Sequence, residues 1–535
     1  MNQMCPLTPV LSMNPHPGPL PSDGRGRVFG RLAGKAAVVQ WFNARAVARR
    51  GAALAGCVLM LGMSGTGLAQ GNAPGRDHLL FMHGPDVENV SGRVTFVSNP
   101  VRPLHKKTGT SMDHTYATAQ QADGSWVAYG MRVVGGDNHQ PHPGKDYIQC
   151  KAKTANGYNF TEREERPWDG NGPGAQGMLQ QTMAYNAKDK ECLLLYYELS
   201  KPHDQGYALK AYKSPDGLAF TAVAGNPVYY GHDAFHAMRD PKSGDYFCYQ
   251  TAFQPWTKKY PDNGQQGRRV ITIRRSHDGI TWTPKWNSWT VGPGFAPEYL
   301  LTPDANDPVD LEFYWFSAFP YAGRYIGIVS LYEPCPPEVN PRHPNQPNAH
   351  GPYLGYEWWI SHDAIHWLRP YQTQYLGLEP GDKSVFAQGV FLAPPGSPIV
   401  ANGEILWDGA WGVQEDRIAG IAAGPNAEFS SHKFKMPASP LLLNATASWV
   451  GKKEPIFLQR QAYIMAELLD GQGRVIPGYE RKNCVFGDAD SSELPLVWGG
   501  KNGAELAGKT VQLRFYFRDA RIYAVTAKKA IITVE

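Results

Sequence analysis

The chain has 535 residues, with 52 basic and 48 acidic side chains, 57 Gly, 44 Pro, 15 Trp, 27 Tyr and 21 Phe. This length excludes one small domain, and 42% apolar residues exclude a disordered chain. Residues 1–69 hold seven Lys/Arg and one Asp; beyond them 45 basic and 47 acidic side chains remain, so no electrostatic reason exists to expect a nucleic-acid partner.

The first element is a leader. Gly51 to Ala69 is uncharged and largely apolar, and Arg45, Arg49 and Arg50 precede it. That pattern reads as a secretory signal cleaved near Ala69, which makes the mature chain secreted or periplasmic, of bacterial type and without a membrane span. Leu54-Ala55-Gly56-Cys57 offers lipoprotein anchoring at Cys57 as a minor alternative. The stretch Asn14 to Gly26 resembles a translated intergenic repeat, which would place the true start downstream. Of the remaining cysteines, Cys150, Cys192, Cys248, Cys335 and Cys484, the number is odd and the spacings fit neither disulfides nor zinc. Cys192 and Cys248 lie in apolar runs and read as buried small side chains. No phosphate loop, nucleophile elbow, HExxH or dinucleotide fingerprint is present, so neither cofactor nor metal is expected.

A repeat organises the middle of the chain. Ser214-Pro215-Asp216-Gly217-x-x-Phe220 recurs as Ser276-His277-Asp278-Gly279-x-x-Trp282 and as Ser361-His362-Asp363-Ala364-x-x-Trp367, with a looser copy at Thr154-Ala155-Asn156-Gly157-x-x-Phe160. Each follows an alternating run (YIQCKAK, YALKAYK, VITIRR, YEWWI), and period two predicts a strand before a turn. Asp or Asn bonds its own backbone and Gly accepts positive φ, so Asp216, Asp278 and Asp363 read as turn residues. Hairpin signals precede each motif, and PGSPIVANGEILWDGAW followed by RIAGIAAG forms a fifth, degenerate unit. Five multi-strand units predict an all-β fold, a five-bladed β-propeller over residues 70–437. From about Pro440 the strands LLLNATASW, AYIMAELLD, KTVQLRFYF and RIYAVTA predict a C-terminal β-sandwich over residues 438–535.

Aligning the hairpins on Trp126, Cys192, Tyr246 and Tyr325 puts Asp113, Leu179, Asp233 and Glu312 at one register, thirteen residues earlier. In a propeller that position precedes the innermost strand, so the three acids would converge at one mouth of the axis. Like charges in one funnel raise one another's pKa, and such clusters are more often functional than structural. Three carboxylates suit glycoside hydrolysis: one protonates the leaving oxygen, one attacks or activates water, and one stabilises the transition state. The expected partner is therefore a carbohydrate substrate.

Five blades, a leader, a trailing sandwich and axial acids resemble the clan of glycoside hydrolase families 32, 68 and 43. The tail is similar to that of family 32-like bacterial proteins at Leu443-Asn444-Ala445, Asp470-Gly471, Pro477-Gly478-Tyr479, Val497-Trp498, Leu506-x-Gly508-Lys509 and Asp519-Ala520-x-x-Tyr523. The resemblance implies Asp113 as nucleophile or general base, Asp233 as transition-state stabiliser and Glu312 as acid/base. The family 32 first-blade motif is replaced by Ser111-Met112-Asp113-His114-Thr115, and Phe313 stands where the family has Cys after its acid. Arg239-Asp240-Pro241 spells the family's RDP tripeptide, which makes Asp240 the rival of Asp233. Internal register instead pairs Asp240 with Gln120, Asn186 and Phe319, at the head of the turn DPKSGD.

His114, His236, Arg239 and Trp315 are the candidate sugar-binding residues; the alternating strand pattern favours a core position for Trp315, and Glu298 is the alternative to Glu312 as the acid. Two other readings stand beside the hydrolase. One is a non-catalytic carbohydrate-binding propeller. The other is a polysaccharide lyase, which would use Tyr116 or His236 as base.

Overall fold

In the computed structural model the described residues are 78–106, 114–134, 146–167, 181–203, 206–259, 267–292, 294–334, 353–376, 396–527 and 530–535. Among them the elements are strands and short 3-10 turns, so the fold is all-β. No helix among them is long and apolar enough to cross a membrane.

Five antiparallel sheets follow one another along the chain. The first is His114–Gln120, Trp126–Val134, Asp146–Thr154 and Thr161–Pro167. The second is Gln181–Asn186, Glu191–His203, Gly206–Ser214 and Thr221–Ala222, with Tyr229–Gly231 also on its third strand. The third is Phe235–Arg239, Tyr246–Pro255, Gly267–Ser276 and Leu300–Leu301. The fourth is Glu312–Tyr321, Arg324–Tyr332, Tyr353–Ser361 and Trp367–Leu368. The fifth is Ile399–Ala401, Glu404–Trp407 and Trp411–Gln414, completed by the upstream strand Arg102–Pro103.

The inner strands are largely apolar because neighbouring sheets cover both of their faces, whereas outer strands such as Thr161–Pro167 and Thr221–Ala222 are exposed. Along Cys192–Tyr197, Cys192, Leu194 and Tyr196 join Tyr116, Tyr129 and Met131 of the first sheet. Leu193, Leu195 and Tyr197 join Phe235, Tyr246 and Cys248 of the third. Tyr249 and Ile271 of the third sheet meet Phe313 and Val329 of the fourth. Trp315 and Ile326 of the fourth meet Ile405 and Trp407 of the fifth. Ile399 of the fifth returns to Ala128, Cys150 and Phe160 of the first. One cavity, of about 150 Å³, touches the opening strand or its approach in all five sheets, through Ala117, Ala184, Met238, Phe319 and Val400.

The repeated turns fasten neighbouring sheets. Gly217 N donates to Ser214 Oγ at 2.9 Å, while Leu218 N and Ala219 N donate to Asp216 Oδ1 at 2.8 Å each. The same bonds recur around Ser276 and Asp278, around Ser361 and Asp363, and around Thr154 and Asn156. Gly217 has φ +75°, and a Cβ there would stand 2.2 Å from the Tyr129 ring of the preceding sheet. Gly279 abuts Leu193 in the same way. In the fourth sheet the place is filled by Ala364 at φ 66°, whose carbonyl accepts the Tyr249 hydroxyl at 2.9 Å.

Two larger sheets share one apolar core, which includes Ile421, Phe429, Leu443, Ile464, Phe515, Phe517 and Val525. One runs Thr95–Ser98, Ala419–Ala423, Ala520–Ala527, Leu441–Ala447 and Ala489–Pro495, with His78–Leu80 also on Ala520–Ala527. The other runs Glu88–Gly92, Ala427–Ser430, Thr510–Arg518, Phe434–Lys435 and Thr533–Val534, with Tyr463–Asp470 also on Thr510–Arg518 and Val485–Phe486 on Tyr463–Asp470. The strand Ala419–Ala423, expected in the fifth unit, therefore pairs with Thr95–Ser98 and Ala520–Ala527 instead. Gly420 permits this, because a Cβ there would stand 2.7 Å from the Tyr523 ring. Strands before and after residue 437 thus contribute to the same two sheets, together with the segment 78–98.

Cys150, Cys192, Cys248 and Cys484 are buried free thiols. Burial pushes Cys192 and Cys248 up to about 12 and Cys150 and Cys484 up to about 11. Cys335 lies outside the described residues.

Candidate functional site

The shared register places its acids at the N-terminal ends of opening strands. Glu312 begins the fourth sheet, and Asp233 stands two residues ahead of Phe235, which begins the third. Asp113 and Leu179 lie outside the described residues; His114, which follows Asp113, begins the first sheet.

Asp233 is a third exposed, and its Oδ1 stands 2.7 Å from His232 Nδ1. Burial resists its ionisation, but His232 and the charge of Arg269 outweigh that and hold the carboxyl below its usual range. The His232 ring meets Phe253 edge-on at 5.1 Å, and Gln250 Nε2 donates to the His232 carbonyl at 2.6 Å. Asp233 is therefore a fixed anion with open surface.

Arg269 connects the two acids. Its Nη1 donates to Glu312 Oε2 at 2.6 Å, and its backbone N–H donates to the same oxygen at 3.1 Å. Its guanidinium lies among the rings of Tyr314, Tyr332 and Phe253, at 4.9, 5.0 and 5.5 Å. Lys258 Nζ takes the other carboxylate oxygen of Glu312 at 2.5 Å. Glu312 has no exposed surface. With both oxygens engaged by cations, it faces no open space in this geometry.

A second acidic pair stands at the same end. Glu333 directly follows Tyr332, the strand partner of Glu312. Burial and then the charge of Asp310 raise its carboxyl above the usual range. Asp310 is buried and accepts the Lys259 N–H at 2.9 Å. Sequence reasoning missed both residues. The available signal was hairpin register, since pairing 312 with 332 sets 333 beside the approach to the strand.

Asp240 does not share this end. It follows Arg239, the last residue of Phe235–Arg239, and caps the next turn. Its oxygens accept Lys242 N and Ser243 N at 2.9 Å each, Ser243 Oγ at 2.6 Å and the Tyr325 hydroxyl. The RDP tripeptide is thus a turn here, and Arg239 lies beside the five-strand cavity with its guanidinium 4.3 Å above the Tyr246 ring.

His236 is fully buried and its Nε2–H donates to the Ala318 carbonyl at 2.9 Å. Trp315 packs with Ile326, Trp358 and Ile405, so its ring serves the core. His114 is half-buried, with its ring stacked 6.2 Å from that of Tyr116. Glu298 lies in the turn Pro297–Tyr299, beside Leu300–Leu301, the last strand of the third sheet. In that sheet Leu300–Leu301 is the strand farthest from Phe235–Arg239, so Glu298 stands by the outer edge and not beside the opening strand.

No family model and no curated protein matches the chain. Among solved structures it is similar to glycoside hydrolases. One is an exo-β-1,3-galactanase from Phanerochaete chrysosporium, at TM-score 0.32 and 10% identity, covering 80% of this chain and 99% of that one. Another is a family 32 β-fructofuranosidase from Bombyx mori, at TM-score 0.31 and 10% identity, covering 86% and 94%. A glycosyl hydrolase from Bacteroides ovatus has TM-score 0.33 and 11% identity, covering 63% and 96%. At these values, substrate and catalytic residues have to be argued from the chain itself.

Proposed function

We propose that the chain is a glycoside hydrolase acting on an oligo- or polysaccharide. Its five smaller sheets, four of four strands and one of five, form the blades of a propeller, and its two larger sheets form a β-sandwich. Support for the propeller comes from the five apolar clusters, which join each sheet to the next and the fifth to the first. The leader over residues 1–69 makes the enzyme secreted or periplasmic, which N-terminal sequencing of the secreted product tests.

The observation that carries the function is the pairing of Asp233 with Glu312. Two acids stand at matched ends of opening strands in consecutive sheets, with Arg269 acting on both. Glycosidases need one carboxyl that keeps its proton and one that does not. Asp233 supplies the fixed anion that stabilises positive charge at the anomeric carbon. Asp113, one residue before the first opening strand, is the nucleophile or base. The proton donor that the geometry favours is Glu333, whose carboxyl is raised and which stands at the same end. Glu312 then acts by positioning Arg269 and Lys258.

The test is an oligosaccharide panel with mass detection of products. Wild type releases shorter sugars, and Asp113→Asn and Asp233→Asn lose roughly 10²–10⁴-fold in rate. Glu333→Gln loses activity on natural leaving groups but retains it on activated aryl glycosides, which need no proton. A non-catalytic carbohydrate-binding propeller is the second reading, favoured by the burial of Glu312 between two cations. It would bind sugars without releasing products. Unsaturated products would indicate a lyase.

A further inference from the structure

Beside Asp233 stands a corner of aromatic rings with no part in the chemistry described above. Tyr207, in the strand Gly206–Ser214 of the second sheet, pairs with Gly231, two residues before Asp233. Its ring meets that of Trp289 at 5.6 Å and at a right angle of 90°. Trp289 lies in the segment between Gly267–Ser276 and Leu300–Leu301 of the third sheet, and its carbonyl accepts the Phe253 N–H at 2.6 Å. The Phe253 ring is 6.3 Å from that of Trp289 and 5.1 Å from that of His232, whose Nδ1 stands 2.7 Å from Asp233 Oδ1. Tyr207, Phe253 and Trp289 are each half-buried, so each keeps surface open to solvent. Burial and then the charge of Asp233 raise the Tyr207 phenol above its usual range, which sets this side chain in the field of that carboxylate.

A sugar ring has an apolar C–H face and a rim of hydroxyls. Half-buried rings beside one open carboxylate match both parts: the rings offer flat apolar surface, and the carboxylate accepts hydroxyl hydrogen bonds. Two rings at a right angle give a wall and a floor, which fixes orientation better than one ring does. Asp233 is a fixed anion here, so a sugar bearing its own carboxylate would be repelled. We propose that Tyr207 and Trp289 form a subsite for a neutral sugar ring, its C–H face on the aromatic corner and its hydroxyls toward Asp233. The proposal rests on the reading of Asp233 as a residue that faces the carbohydrate, and it adds which side chains hold the ring and which sugars they admit.

Isothermal titration of the full chain carrying Asp113→Asn, to slow turnover, tests this with neutral trisaccharides of glucose, galactose, mannose, xylose, arabinose and fructose and with trigalacturonic acid. Saturable binding of at least one neutral trisaccharide is expected, and trigalacturonic acid should bind more weakly by about fivefold or more. Adding Trp289→Ala or Tyr207→Ala should weaken the neutral sugar about three- to tenfold, whereas Trp289→Phe, which keeps a flat face, should stay within about twofold. Trp289→Leu keeps an apolar side chain without that face, so it decides the matter if Trp289→Ala does not fold. The proposal is overturned if no neutral trisaccharide binds, if trigalacturonic acid binds as tightly, or if the alanine and leucine variants bind like their parent. Undiminished binding in those variants of a sugar that the wild type cleaves removes the corner and leaves the hydrolase. Weakened binding of a sugar that the wild type does not cleave leaves the corner and removes the hydrolase.

Discussion

Asp233 and Asp240 bracket a single strand, Phe235–Arg239, and stand at its opposite ends. Asp233 keeps a third of its surface open beside Arg269, whereas Asp240 is enclosed by its own turn and by Tyr325. Asp240→Ala should therefore lower stability by about 2–4 kcal/mol, since it removes several hydrogen bonds and leaves a buried hydroxyl unmet. Its kcat should stay within a few-fold of wild type. Urea denaturation together with steady-state kinetics checks both expectations.

Glu312→Gln should be more damaging to the fold. It leaves Lys258 and Arg269, each 2% exposed, without their counter-charge. Breaking a buried pair in this way costs about 3–5 kcal/mol. A catalytic loss without such destabilisation would instead mark Glu312 as the proton donor.

Two glycines at positive φ, Gly124 in the hairpin turn before Trp126 and Gly217 in the repeated motif, allow a controlled comparison. Gly124→Ala, at φ +82° with open space around it, should cost about 1–2 kcal/mol from backbone strain alone. Gly217→Ala meets the same strain and forces its Cβ against Tyr129, so it should cost about 1–3 kcal/mol more. Equal losses in the two variants would show that the turn does not clamp the first two sheets.

Acid should loosen these turns. Burial opposes ionisation of Asp278, yet the Thr281 and Ile280 N–H groups and the Ser276 hydroxyl bring it from 3.8 to about 2. Asp216 and Asp363 are lowered too: burial opposes this, and backbone donors, with His366 for Asp363, outweigh it. A lowered folded pKa gives stability that is present above the unfolded value and is lost as pH falls through the folded one. Stability should thus decline between pH 3.8 and about 2. Asp278→Asn, which keeps the acceptor as Asn156 does, should make that decline shallower. Thermal midpoints across this range measure the slope.

Much of the layout is written in local pattern. Turn bonds at Asp216, Asp278 and Asp363 depend on residues two or three positions away, and strand alternation shows which side chains enter which cluster. Hairpin register put Asp233 and Asp240 at different positions of the repeat, while the RDP tripeptide kept Asp240 a candidate beside Asp233. Long-range pairing was not legible. Lys258 and Arg269 reach Glu312 from the neighbouring sheet, and nothing near Glu312 in sequence announces them. The segment 78–98 joins strands more than 300 positions later, so its place in the two larger sheets had no local signal.

The rate of glycosidic cleavage by Asp233→Asn, beside wild type on whichever oligosaccharide the panel identifies, tests the account most directly. A fall of roughly 10²–10⁴-fold with an unchanged thermal midpoint is the result expected of an ionised carboxylate acting on the sugar. Cleavage at the wild-type rate would mean that the acidic end of the opening strands is not where the bond is broken.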